Sequence, residues 1–154
     1  MRDRTIEVKA IEQALGDTFE GMAFVTLIRD EDAAHPETEG VDWHWARVDV
    51  LSPRKGYLLV AGPEAMMRDI ACSMYGQYDC SPSQTEILDM LGEMVNTFAG
   101  RCLNILVPDE STFSLGLPEK GVVWPDTQDG TVVGFVTPDE NRVFVAFQLD
   151  GCAA

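Results

Sequence analysis

Two carboxylates, a carboxamide and a glycine are spaced along one predicted helix at intervals of four, three and four residues. They are Asp89, Glu93, Asn96 and Gly100. At about 100° per residue, all four lie within about 60° of one another on the side opposite an apolar arc. A carboxamide both accepts and donates hydrogen bonds, and carboxylates bind cations. This face therefore combines two anionic groups, one amide and one position without a side chain.

The alternative interpretation is a solvated helix face, because acidic and amide side chains are common at exposed helix positions. Two details favour a specific role. Asn is a poor residue in the middle of a helix, and Gly100 costs roughly 1 kcal/mol relative to Ala there. A smooth face with a glycine lets another protein approach closely, so we predict an interaction surface.

The helix that carries this face is predicted over residues 83–104. Its first residues, SPSQTE, offer Ser81 or Ser83 as the N-cap. Gln84 or Glu86, three residues further on, would complete a capping box. The apolar arc should face the core, and it consists of Ile87, Leu91, Met94, Val95, Phe98, Cys102 and Leu106.

The rest of the chain predicts two further helices and six strands. The helices cover 5–21 and Pro63 to about Tyr75, and the strands cover 22–29, 41–51, 56–61, 111–117, 131–137 and 142–149. Consecutive strands joined by short turns indicate an α+β fold, with a mostly antiparallel sheet and long helices on one face. TFEG at 18–21 and TFAG at 97–100 suggest two related helix-plus-strands halves, offset by 79 residues.

Composition narrows the possible partners. The 154 residues fit one domain, 1–154, and carry a net charge of −15. Such a charge repels phosphate backbones and anionic membranes, so we expect no nucleic-acid or membrane partner. It suits a partner that presents basic groups, although an acidic surface also simply keeps a protein in solution.

The chain has no apolar run of about 18 residues and no signal-peptide pattern at its start, so we expect a cytoplasmic protein. Its thiols should then be reduced. The cysteines are Cys72, Cys80, Cys102 and Cys152, and none forms a C-x-x-C pair or has a nearby histidine. A zinc site is therefore not expected.

The pattern D-x-x-x-E-x-x-N formed by Asp89, Glu93 and Asn96 resembles the active-site signature of the CheC/CheX/FliY chemotaxis phosphatases. Members of that family carry a proline about two dozen residues beyond the Asn, and Pro118 follows Asn96 by 22 residues. In the other half, the equivalent positions hold Ala10, Ala14 and Asp17. The resemblance therefore implies one active site per chain, as in CheX-like members.

The resemblance implies a phosphatase that accelerates hydrolysis of the aspartyl phosphate on a CheY-like receiver domain. Asn96 would orient the attacking water, and Glu93 would pair with the receiver's active-site lysine. Asp89 and Gly100 would contribute to docking. The Mg²⁺ would belong to the receiver, so no metal or cofactor is expected on this chain, and homodimers are expected.

Two alternatives remain at this stage. One is a non-catalytic adaptor of the same fold that binds a receiver or a flagellar protein. The other is a small-ligand sensor built around the tryptophan-rich strand that contains Trp43 and Trp45. A large apolar pocket at those tryptophans would support the sensor.

Overall fold

The computed structural model describes residues 4–32, 36, 41–75, 81–107, 112–125, 127 and 129–150. Within them lie the three predicted helices and seven strands, one strand more than the sequence predicts. In chain order they are α1 (Thr5–Ala23), β1 (Ile28–Asp30), β2 (Trp43–Ser52), β3 (Gly56–Pro63), α2 (Glu64–Met74), α3 (Gln84–Leu106), β4 (Ser114–Leu115), β5 (Glu119–Gly121), β6 (Thr131–Val136) and β7 (Arg142–Leu149).

The strands form one antiparallel sheet in the order β1-β6-β7-β3-β2-β4, with β5 also paired to β2. Counted from its two ends, the sheet places β1 where β4 lies, β6 where β2 lies and β7 where β3 lies. Each of these pairs joins a strand of the first half of the chain to a strand of the second half. A pseudo-twofold axis therefore passes between β3 and β7, which confirms the two related halves. A small detail repeats as well: Thr18 Oγ1 donates to the Ala14 carbonyl at 2.7 Å, and Thr97 Oγ1 to the Glu93 carbonyl at 3.0 Å.

The three helices cover one face of the sheet. Along β3, the buried side chains alternate between faces, as expected for a strand. Leu58 and Val60 join the core beneath the helices, whereas Tyr57, Leu59 and Ala61 belong to a separate apolar cluster. The α+β architecture predicted from the strand and helix patterns is therefore confirmed.

The second apolar cluster is built from aromatic side chains. Trp43 is 5% exposed and packs edge to face on Trp124 and Phe144, with ring centroids 5.9 and 5.4 Å away. The Trp45 side chain is fixed by a hydrogen bond, since its Nε1 donates to the Val123 carbonyl at 2.6 Å. Among the described residues, the rings of Trp43, Trp124 and Phe144 pack on one another, and this packing gives the sensor hypothesis no support.

Two predicted strands were wrong in extent. Helix α1 continues to Ala23, and Phe24 caps it in the left-handed conformation with φ 57°. Strand β1 therefore begins only at Ile28, and 22–27 is not strand. The prediction over 111–117 shrinks to Ser114–Leu115 among the described residues, and β5 was missed. Such short segments depend on pairing with β2, which local sequence does not encode.

The cysteines differ from one another in state. Cys102 is free and fully buried, and burial raises the pKa of its thiol to about 12. It is the small core residue that its place on the apolar arc predicted. Cys72 is disulfide-bonded, so the expectation of reduced thiols is wrong for this residue. Sequence spacing could not show this, because a disulfide depends on how close two thiols lie in space. Cys80 and Cys152 lie outside the described residues.

Candidate functional site

A capping box begins helix α3. Ser83 Oγ accepts from the Glu86 backbone N–H at 3.1 Å, and the Glu86 carboxylate accepts from the Ser83 N–H at 3.2 Å. Of the candidates in the sequence, the structure thus selects Ser83 and Glu86. Reciprocal capping satisfies two backbone donors that a helix N-terminus otherwise leaves unpaired, so the start of α3 is held by its own residues.

The inner face of α3 is packed against the sheet and α1. It contains Ile87, Met90, Leu91, Gly92, Met94, Val95, Phe98, Ala99, Cys102 and Leu103, all buried. Leu106 packs partly buried against the same core. The predicted apolar arc is therefore confirmed. Because the inner face is immobilised in the core, the opposite face presents its side chains in a fixed register.

The outer face of α3 is open. Glu93 and Asn96 are both exposed. Within the described residues, neither side chain takes part in a hydrogen bond or ion pair, while the Glu93 carbonyl accepts from Thr97. A docking protein could therefore reach the carboxylate and the amide without displacing a hydrogen bond or ion pair made by the described residues.

Gly100 continues the same face one turn beyond Asn96. It is partly exposed, and a Cβ built at this position would meet no atom within 4 Å. The glycine therefore fills no internal packing requirement. Its helix cost of roughly 1 kcal/mol relative to Ala is consistent with a surface that another molecule approaches, which was the predicted role.

The outer face formed by Asp89, Glu93, Asn96 and Gly100 is called the open strip below. Unlike Glu93 and Asn96, Asp89 already has a partner within the chain. Lys120 Nζ, on β5, lies 2.7 Å from Asp89 Oδ1. The lysine stem and Pro118 also lie against the helix at Gly92, where an added Cβ would be 3.4 Å from Lys120 Cδ and 3.7 Å from Pro118 Cβ. Sequence reasoning missed Lys120, since β5 itself was not predicted.

Tyr75, the C-cap residue of α2, lies near the acidic side of the strip and is 43% exposed. The pKa of its hydroxyl is raised, first by partial burial and then by three carboxylates of α3: Glu93, Asp89 and Glu86.

On the helical wheel, Gly92 and Glu93 lie about 100° apart with Asn96 between them. The open strip is thus bordered by Pro118 and Lys120 on one side, with Tyr75 close to its carboxylates.

Helix α1 has no equivalent face. Ala10 and Ala14, at the positions of Asp89 and Glu93, are 2% and 1% exposed, and only Asp17 is exposed. The acid and the amide are absent from α1, and the backbone positions that would carry the two acids are covered. Of these two equivalent helices, α3 alone carries an exposed acid and an exposed amide.

Within the described part of the chain, no group of three His, Cys, Asp or Glu side chains could hold a metal ion. His44 is buried, with a pKa lowered mainly by burial and then by Arg68, while Asp42 raises it. Among the described helices, none is long and apolar enough to cross a membrane.

Solved structures with the same fold cover nearly the whole chain. CheX from Vibrio vulnificus is 17% identical, with 96% of this chain and 100% of that chain aligned at a TM-score of 0.72. CheX from Desulfovibrio desulfuricans is 18% identical over 94% and 99% of the two chains, with a TM-score of 0.74. A CheX–CheY–BeF3–Mg²⁺ complex from Borrelia burgdorferi contains a chain 13% identical, over 94% and 98%, with a TM-score of 0.70. The pseudo-twofold sheet with its helices therefore defines a protein of the CheC-like fold class.

The family model "Chemotaxis phosphatase CheX" matches residues 45–120, a segment that runs from β2 to β5 and contains all of α3. The chain belongs to the CheC/CheX/FliY family as a CheX-like member. No curated protein matches the sequence. The matched segment includes every residue of the open strip, together with Pro118 and Lys120.

Proposed function

We propose that this protein accelerates hydrolysis of the aspartyl phosphate on a CheY-like receiver domain in chemotaxis signalling. The observation that carries the proposal is the open face of α3, where Asn96 and Glu93 are exposed and have no partner among the described residues. The family match supports a role as a chemotaxis phosphatase. The related complex of CheX with CheY supports a receiver as the partner.

The reaction needs little from the helper protein. Water attacks the phosphorus in line, the bond to the aspartyl oxygen breaks, and the products are inorganic phosphate and a free carboxylate. Catalysis of phosphoryl transfer is mostly positioning and charge stabilisation. The receiver supplies its own Mg²⁺ and lysine, so the remaining requirement is an oriented water.

Asn96 has the chemistry for that role. Its carbonyl oxygen accepts a hydrogen bond from the water, while its amide N–H donates to a phosphoryl oxygen. A carboxylate at the same position would repel the phosphoryl group. Since α3 is packed along its inner face, the side chain enters the partner's site from a rigid element, and little orientation is lost on binding.

Glu93 would dock the helix. Its carboxylate lies one turn before Asn96 on the same face, and we propose that it pairs with the receiver's active-site lysine. An ion pair shielded from water within the complex is stronger than one on an open surface. The net charge of −15 would favour approach of a basic surface around the receiver's site.

The direct test is loss of label from phosphorylated receivers of the same genome. We expect the protein to shorten the phosphoryl half-life of at least one receiver well below its spontaneous value, at catalytic concentration. The measurement is the rate of inorganic phosphate release with and without the protein. Binding to a receiver without any change in phosphoryl half-life would instead establish the adaptor alternative.

Replacing Glu93 separates docking from chemistry. We expect Glu93→Gln to weaken binding to the receiver, raising KM about tenfold, because a charge-assisted pair is lost while the shape of the strip is kept. Steady-state phosphate release against receiver concentration measures it. Glu12→Gln, an exposed change on α1, removes the same charge elsewhere and should leave KM unchanged. An unchanged KM in Glu93→Gln would remove this residue from the docking surface.

A further inference from the structure

Two carboxylates on the strip create an ambiguity for a docking cation. Asp89 and Glu93 are four residues apart on one helix face, so they lie about 6 Å apart along the axis. A lysine that paired with Asp89 instead of Glu93 would shift the partner by about one helical turn. Asn96 would then be displaced by about 6 Å, whereas hydrogen bonds require about 3 Å. Only one of the two registers can be productive.

We propose that Lys120 sets this register. Its ion pair with Asp89 occupies the first carboxylate and leaves Glu93 as the carboxylate that receives the partner's cation. The inference rests on the proposed function and assigns to Lys120 the role of a positioning residue. It also revises the role of Asp89, which acts as the anchor of an internal contact and not as a docking charge.

In the ion pair between Asp89 and Lys120, the lysine is the more firmly positioned of the two residues. Strand β5 is hydrogen-bonded to β2, with Lys120 opposite Ala46. The Lys120 side chain is 33% exposed, against 57% for Asp89. The Nζ to Oδ1 distance of 2.7 Å is typical of a charge-assisted hydrogen bond. A lysine fixed at its backbone and along its stem loses less entropy in pairing than a free surface lysine does.

The Lys120 stem crosses α3 at Gly92. Gly92 is buried, and a Cβ built there would lie 3.4 Å from Lys120 Cδ and 3.7 Å from Pro118 Cβ, in ordinary contact with both. The stem therefore lies close against the helix at this point. The helix and the β5 segment together hold the ammonium over Asp89.

The inference is tested by the kinetics of three variants: Lys120→Gln, Asp89→Asn and the double variant. Freeing Asp89 in Lys120→Gln permits a non-productive complex. We therefore expect kcat and KM to fall together by about two- to fivefold, the range that one exposed ion pair supplies, with kcat/KM nearly unchanged. Adding Asp89→Asn removes the competing carboxylate and should restore both constants, while Asp89→Asn alone should resemble the wild type.

Lys55→Gln is the matched control, because it removes one exposed lysine from the turn between β2 and β3 and should change neither constant. An increase of KM in Asp89→Asn would overturn the inference, since Asp89 would then contact the partner. Loss of kcat/KM in Lys120→Gln without rescue by Asp89→Asn would also overturn it and indicate a purely structural bridge. If the wild type fails to accelerate dephosphorylation, the proposed function itself is wrong and the register inference falls with it. Wild-type activity with an unaltered Lys120→Gln variant overturns the register inference alone.

Discussion

Asn96→Ala is expected to abolish the stimulated dephosphorylation and leave only the receiver's spontaneous rate. The loss of an oriented water should reduce the stimulated kcat by on the order of 10²-fold or more. The fold should be unaffected, because Asn96 is exposed and has no partner among the described residues. Alanine is also the better helix former, by up to about 0.7 kcal/mol, so the variant should be at least as stable as the wild type.

The matched control for this variant lies on the same helix. Asn104 is exposed two turns beyond Asn96, and Asn104→Ala should retain full activity. Phosphate release measures activity, and urea unfolding measures stability for all three proteins. The assignment of Asn96 would be contradicted by an Asn96→Ala protein that remains fully active, or by one whose loss of activity is matched by a loss of stability.

Arg54→Met is expected to lower the free energy of unfolding more than any other substitution proposed here. Arg54 Nη2 lies 2.7 Å from Glu7 Oε1, and each side chain is 8% exposed. Arg54 Nε also donates to the Asp150 carbonyl at 2.7 Å. The guanidinium therefore joins α1, the turn between β2 and β3, and the end of β7. Removing it breaks this buried ion pair, and breaking a buried pair by removing one partner typically costs about 3–5 kcal/mol. Urea unfolding monitored by circular dichroism measures the loss.

A second variant distinguishes a buried charge from a general packing defect. Replacing both partners, as Glu7→Leu with Arg54→Met, removes the buried carboxylate together with the cation and should recover most of the stability lost in the single variant. A buried pair replaced by apolar residues of similar volume is often neutral. If Arg54→Met costs less than about 1 kcal/mol, or if the double variant is no more stable than the single one, the pair is not the anchor that its burial indicates.

The two halves of the fold show how one element can be used in two ways. Helices α1 and α3 occupy equivalent positions about the pseudo-twofold axis, and Thr18 and Thr97 make the same backbone contact in each. On α1, however, Arg101 of the other half approaches Thr18 Oγ1 at 3.2 Å and lies 3.7 Å from a Cβ built at Gly21. A side chain at Gly21 would therefore meet this arginine, whereas one at Gly100 would meet no atom within 4 Å.

The local periodicities alone predicted the elements on which the site depends. A 3.6-residue repeat of apolar side chains determines which face of α3 enters the core, and so which face carries Glu93 and Asn96. Ser83 and Glu86 determine where the helix begins, because their reciprocal hydrogen bonds lie within a single turn. The antiparallel sheet followed from consecutive strands with short connections. All of these depend on residues close together in the chain.

Only the tertiary structure decided what surrounds that face. The ion pair of Asp89 joins residues 31 positions apart in the chain, and it requires β5, a strand of three residues that forms only by pairing with β2. The approach of Tyr75 to the strip depends on how α2 packs beside α3. The burial of Ala10 and Ala14 and the disulfide state of Cys72 are likewise properties of packing. Local patterns specify helices and faces through contacts within a few residues, whereas the borders of a site arise from long-range pairings that no single stretch of sequence encodes.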